Sequence, residues 1–161
     1  MKTRAVVFAV ITVIWCCVIF FFSSQDADES SDLSDSFIYS VCDALLPDFE
    51  DYTEAQREQL LEDLTFGVRK TAHFTVYAFL GAFAFQALCF IGKKHVRAVS
   101  AVGFSCLYAA SDEFHQTFVP GRSGEVRDVL IDTSGALLSV LISLLVIHFI
   151  GKRWNKETGD L

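Results

Sequence analysis

Four long apolar runs divide the chain, at residues 5–22, 71–91, 98–119 and 129–150. A helix needs about 20 mostly apolar residues to cross the hydrocarbon of a bilayer. The first run holds no charge, and the second is interrupted only by His73 and Gln86. The third carries Asp112, Glu113 and His115 in its later part, and the fourth carries Asp132 near its start and His148 near its end. None of them alternates strictly between apolar and polar residues as barrel strands do. Helices are then the way to satisfy the backbone inside lipid. The pattern predicts an all-α integral membrane bundle of four transmembrane helices, with an extracytoplasmic helical segment between the first and second spans.

That outer segment, residues 23–70, is 48 residues long, too long for a structureless loop in a compact domain. Leu33, Phe37, Val41 and Leu45 recur every four residues, with Asp32, Asp35 and Asp43 among them. This predicts an amphipathic helix with one apolar stripe, ending before Pro47. Thr53-Glu54-Ala55-Gln56 then has the form of a capping box, and Leu60, Leu61, Leu64 and Val68 share one face beyond it. The two helices would cover the outer end of the bundle, or close over a site there as a lid. Gly92 and the short 92–97 connection make spans two and three antiparallel neighbours. Pro120-Gly121 and Ser123-Gly124 turn the chain between spans three and four.

Composition supports a membrane reading. Of 161 residues, 52% are hydrophobic, and the mean hydropathy is +0.40, above the roughly 45–50% apolar content of soluble domains. Lys2, Arg4, Lys93, Lys94, Arg97, Lys152, Arg153 and Lys156, eight of the thirteen basic residues, fall on one side of the four spans. Short loops rich in Lys and Arg stay cytoplasmic, so both termini are expected inside. The other side holds 18 of the 20 acids and five bases, which accounts for the net charge of −7. No basic patch dominates a soluble surface, which argues against nucleic acid as a partner; the lipid bilayer is the expected one. Lys2 and Arg4 would also suit a cleavable leader, but the first run ends in Phe20-Phe21-Phe22-Ser23-Ser24 with no small-residue cleavage motif, which favours a retained span. Cys16, Cys17, Cys89 and Cys106 sit in apolar runs as small hydrophobes, and Cys42 is alone on the outer side. The five cysteines make neither a disulfide framework nor a metal site.

The polar residues collect at one end of the spans. Lys70, His73 and Tyr77 share a face of the second, with Arg69 beside them. The apolar part of the third span, residues 98–110, is only 13 residues, so its helix must continue through Asp112, Glu113, His115 and Gln116. The two carboxylates then lie roughly 9 Å inside the hydrocarbon, from six residues of rise. Two adjacent acids at that depth must meet cations, be protonated or face water. Arg122 stands on a Gly-flanked turn and suits bidentate binding of carboxylate or phosphate. Glu125, Arg127 and Asp128 open the fourth span. Acids there also favour the helix dipole, but Asp132 lies deeper. Gly135 and Ser139 on the same line allow another helix to approach closely.

Two chemistries fit this set. His73, Asp112, Glu113, His115 and Asp132 could ligate a divalent metal of the Zn, Mn or Fe type, although the spacings match no established metal signature, so no metal or cofactor is assigned. Alternatively Arg69, Lys70, Arg122 and Arg127 bind an anionic headgroup while Glu113, His73 or His115 handle protons. A salt-bridge network that only pins the helices together is the structural alternative.

Arg69-Lys70-x-x-His73-Phe74-x-x-Tyr77, Ser111-Asp112-Glu113-x-His115-Gln116-x-Phe118-x-Pro120-Gly121-Arg122 and Asp128-x-x-x-Asp132-x-x-Gly135 resemble the VanZ-like family of bacterial membrane proteins. So do Trp15 and the exit from the first span at Ile19-Phe20-x-x-Ser23-Ser24-Gln25. The acidic stretch 26–62 carries no matching motif, and the usual family pattern has Asn where this chain has Asp132. The resemblance implies one membrane domain over residues 1–161, multi-pass in a bacterial cytoplasmic membrane. The founding member is associated with resistance to the glycopeptide teicoplanin. The resemblance implies no established reaction, so whether the chain is an enzyme stays open. The expected function is a polar site at the outer leaflet, acting on an envelope lipid or a lipoglycopeptide. The alternatives are a membrane enzyme for a lipid-linked phosphate or amide, and a non-catalytic scaffold. Candidate catalytic residues are His73, Glu113, His115 and Asp132. Candidate ligand-binding residues are Arg69, Lys70, Asp112, Gln116, Arg122, Arg127 and Asp128.

Overall fold

The computed structural model describes residues 2–26, 36–44 and 52–158, with side chains through residue 150. The described residues form helices and turns, with no strand among them. Helix α1 is Lys2–Ser23, α2 covers 36–44, α3 is Glu54–Ala87, α4 is Lys94–Gln116 and α5 is Val126–Thr158. Among the described residues, two helices are long and apolar enough to cross a membrane: α1 and the Val126–Ile150 part of α5. Both turn apolar side chains outward, among them Val6, Val13 and Phe21 on α1 and Leu141, Leu145 and Phe149 on α5. A soluble protein avoids an apolar surface that extensive.

The Thr53 capping box forms as the sequence predicts. Gln56 N–H donates to Thr53 Oγ1 at 3.4 Å, and Thr53 N–H donates to Gln56 Oε1 at 3.0 Å. Beyond the cap, the helix departs from expectation. The amphipathic helix expected after Thr53 and the second apolar run are one continuous helix of 34 residues. No proline interrupts them, and a single Gly67 costs only about 1 kcal/mol relative to Ala. Helix α3 also stops at Ala87, short of the expected boundary at 91, where the chain tightens and Cys89 N–H donates to Gln86 O at 3.2 Å. Helix α4 likewise ends at Gln116 rather than 119.

The apolar stripe expected on α2 is displaced by one position. Ile38 and Cys42 are the buried pair, packed on Leu60 and Leu61 of α3, while Phe37 is 63% exposed and Val41 is also exposed. Adjacent helical residues point about 100° apart, and the leucine pair of α3 selects which face docks. Leu33, Leu45 and Pro47 lie outside the described residues.

Helix α3 is the hub, packing against α1, α4 and α5. One core layer joins Ile19, Tyr77, Leu80 and Ala109, flanked by Trp15 and Tyr108. The other joins Ala84, Phe85, Ala101 and Val140. Gly135 lets α5 lie against the backbone of α3: a β-carbon there would collide with the Phe74 carbonyl. Polar groups in these layers find backbone partners, as buried donors must. Trp15 Nε1 donates to Val76 O at 2.9 Å and Tyr108 Oη to Cys16 O at 2.6 Å. At the opposite end from the acids, Gln86 Oε1 accepts from Arg4 at 2.7 Å and Arg97 at 3.0 Å. That pairing explains a glutamine within an apolar run.

Candidate functional site

Helices α3 and α5 run parallel, and α4 runs antiparallel to both. The start of α5, the end of α4 and the middle of α3 therefore meet. Lys70 on α3 clamps both carboxylate oxygens of Asp128 on α5, at 2.5 and 2.6 Å. One turn deeper on each helix, His73 Nδ1 stands 3.5 Å from Asp132 Oδ1. Asp132 is fully buried, and neither of its oxygens has a hydrogen-bond partner among the described residues. Glu113 of α4 enters from the third side. His73, Glu113 and Asp132 each offer a ligand atom, and those atoms lie within 4.8 Å of one another. These are the residues of the described chain grouped tightly enough to hold a metal ion.

The turn after α4 fixes Glu113. Gly121 adopts φ 71°, a left-handed conformation that glycine takes freely. Gly124 passes so close to α4 that a β-carbon would fall 2.5 Å from Glu113 O. The loop is thereby held where Glu125 N–H donates to Glu113 Oε2 at 2.9 Å. Gln116 bridges the two acids of α4, its Nε2 lying 3.4 Å from both Asp112 Oδ2 and Glu113 Oε1. Tyr77 Oη donates to Asp112 Oδ2 at 3.4 Å.

Beside this cluster lies a cleft of about 380 Å³ between α1, α3 and α4. Val18, Ile19 and Phe22 of α1 give it an apolar lining, and Arg69, His73, Asp112 and Arg122 give it a polar one. Arg122 Nε donates to Gln25 O at 3.2 Å. Burial, reinforced by neighbouring Arg69, pushes its guanidinium down from the usual range; arginine's starting point is so high that it remains a cation.

Two of the sequence-derived candidates sit apart from the cluster. His115 turns toward α1, with Nε2 3.3 Å from Ser24 Oγ and its ring 4.6 Å from that of Phe20. Arg127 is exposed, with its guanidinium 5.1 Å from the centre of the Phe66 ring. Conversely, Ser23 and Gln25 line the cleft, although sequence reasoning gives them no role. The polar Ser23-Ser24-Gln25 step after an uncharged run is the available signal.

The fold and site define an all-helical protein with apolar outer faces and a buried, acid-rich centre served by histidine and flanked by arginines. The family model for VanZ/LLP1 matches residues 8–147, so the chain belongs to the VanZ/LLP1 family. Comparison with curated proteins finds no match, and comparison with solved structures finds none.

Proposed function

We propose that the whole chain is one VanZ-type domain that crosses a bacterial cytoplasmic membrane four times, with both termini inside. Its cleft, opening toward the outer leaflet, binds an anionic amphiphile of the cell envelope. The cleft carries this reading. Its apolar lining on α1 suits an acyl chain, and the Arg69 and Arg122 guanidiniums that also line it suit a phosphate or carboxylate. Helix α4 supports the third crossing by turning Val99, Phe104, Leu107 and Phe114 outward, and the basic residues at the opposite end set the orientation. A lipoglycopeptide such as teicoplanin has the same two-part chemistry, so glycopeptide resistance belongs within this reading.

A second reading is catalytic, with a lipid-linked phosphate or amide as substrate. One observation favours it: the His73 imidazole borders the cleft while its Nδ1 is turned to the buried Asp132. A histidine oriented by a carboxylate is a competent general base.

Cysteine labelling of intact cells tests the topology. A cysteine placed at Glu54 is expected to react from outside and one at Lys156 is not; the reverse pattern overturns the orientation. Binding is tested with purified protein in detergent. Phosphatidylglycerol or teicoplanin is expected to raise the unfolding temperature of the wild type and to raise that of Arg122→Gln much less. Equal shifts in both proteins, or none in either, reject the cleft as the binding site.

A further inference from the structure

We propose that His73, Glu113 and Asp132 form a binding site for one divalent transition-metal ion, of the Zn²⁺ class, beneath the cleft. The site depends on these three side chains alone and holds whether or not the cleft takes an amphiphile.

Charge points to a cation first. Glu113 is 4% exposed and Asp132 not at all. Among the described residues neither carboxylate forms a salt bridge with lysine or arginine; Lys70, the nearest lysine along α3, is committed to Asp128. Buried charges are expected to be paired or to coordinate a metal. One histidine faces two acids, and a dication balances what it cannot.

Asp132 adds an independent sign. Both oxygens are buried without a hydrogen-bond partner among the described residues, although an unsatisfied buried acceptor costs about 1–3 kcal/mol and a charged one more. A carboxylate that merely pinned helices together would be expected to close on its cation, as Asp128 does at 2.5 and 2.6 Å, whereas His73 stays 3.5 Å from Asp132.

The spacing also suits an ion. Two donors each about 2.0–2.1 Å from zinc, at a tetrahedral angle, stand about 3.3–3.4 Å apart. His73 Nδ1 and Asp132 Oδ1 are 3.5 Å apart, close to the spacing of two ligands across an ion and long for a hydrogen bond. The set of three spans up to 4.8 Å, which side-chain shifts totalling about 1.5 Å close. Glu113 is already fixed by the Glu125 N–H on Oε2, leaving Oε1 as its ligand atom beside Gln116. A nitrogen and two carboxylates suit Zn²⁺, Mn²⁺ or Fe²⁺ rather than Ca²⁺. Three protein ligands leave a further coordination position, and His73 places the site at the wall of the cleft.

The test uses the full chain purified in detergent and stripped with a chelator. Zn²⁺ is titrated by calorimetry, and Co²⁺ by its visible absorption. One saturable equivalent per chain and a low-symmetry Co²⁺ spectrum are expected. Asp132→Asn keeps the shape and removes the charge. It is expected to weaken Zn²⁺ binding by more than about 100-fold, since even outer-shell partners of a ligand are worth about 10–100-fold. Circular dichroism of the metal-free variant should match wild type. If Asp132→Asn does not fold, His73→Gln at the cleft wall serves in its place, and the wild-type titration stands by itself. Absence of a saturable equivalent in the wild type overturns the proposal. So does a site whose affinity is unchanged by Asp132→Asn, Glu113→Gln and His73→Gln, because the ion would then reside elsewhere.

Discussion

Replacing Lys70 by Met removes the ammonium that holds both oxygens of Asp128, at 2.5 and 2.6 Å. It tests whether this pair is a clamp between α3 and α5 or a cation held in reserve for ligand. The side chains are 17% and 13% exposed, so the pair lies between two known regimes. Exposed pairs are worth about 0.2–1 kcal/mol, while breaking a buried pair costs about 3–5 kcal/mol because one charge is left behind. Lys70→Met is therefore expected to destabilise by about 2 kcal/mol, and Asp128→Leu by slightly less, since Lys70 keeps its place 5.4 Å from the Phe66 ring centre. The double variant Lys70→Met, Asp128→Leu should return to within about 1 kcal/mol of wild type, because apolar replacement of a buried pair is often neutral. Denaturant unfolding in detergent, followed by circular dichroism, measures all three. Additive losses, or single variants within about 0.5 kcal/mol of wild type, would refute the clamp. They would return Lys70 to the ligand-binding set.

Two other substitutions probe the same end of the bundle. Glu113→Gln should leave the bundle folded, because the amide oxygen can still accept from Glu125 N–H. It should also abolish any glycopeptide-susceptibility phenotype conferred by the gene; a normal phenotype with a loss of about 3–5 kcal/mol would mark Glu113 as a packing residue instead. Gly135→Leu should separate α5 from the Phe74 backbone and cost about 3 kcal/mol or more, as overpacking against an immovable neighbour does; a near-neutral change in unfolding midpoint would show that the two helices are not so closely opposed.

The fold is most legible in the sequence where one physical rule acts alone. An uncharged run predicts α1, a capping box predicts the start of α3, and glycine spacing anticipates the contact of α5 with another helix. Legibility fails where a partner makes the choice. Nothing local to α2 favours Ile38 and Cys42 over Phe37 and Val41; Leu60 and Leu61 on α3 decide it. Nothing within residues 54–87 marks a boundary between outer helix and apolar run, and none exists. Helix periodicity puts His115 and Gln116 on the face of Asp112, yet His115 swings to α1 because Ser24 and Phe20 wait there. Side-chain direction at a helix end depends on neighbours that sequence spacing does not name.

The structure also sorts the candidates by what already occupies them. Asp128 is neutralised by Lys70, Arg122 holds the exit from α1 through Gln25 O, and Glu113 receives the loop through Glu125 N–H. Each of these contacts has a structural use. His115 is spent on α1, and Arg127 stands over Phe66. Asp132 differs: it is fully buried, its oxygens form no hydrogen bond among the described residues, and His73, 3.5 Å from it, borders the cleft. Burying a carboxylate with a histidine 3.5 Å away as its partner is costly, since an incompletely compensated buried charge costs several kcal/mol. The cost is offset when an ion or a proton shared with His73 completes the site. Function in this chain is therefore best sought at Asp132 and His73 first, with the arginines of the cleft deciding what is delivered to them.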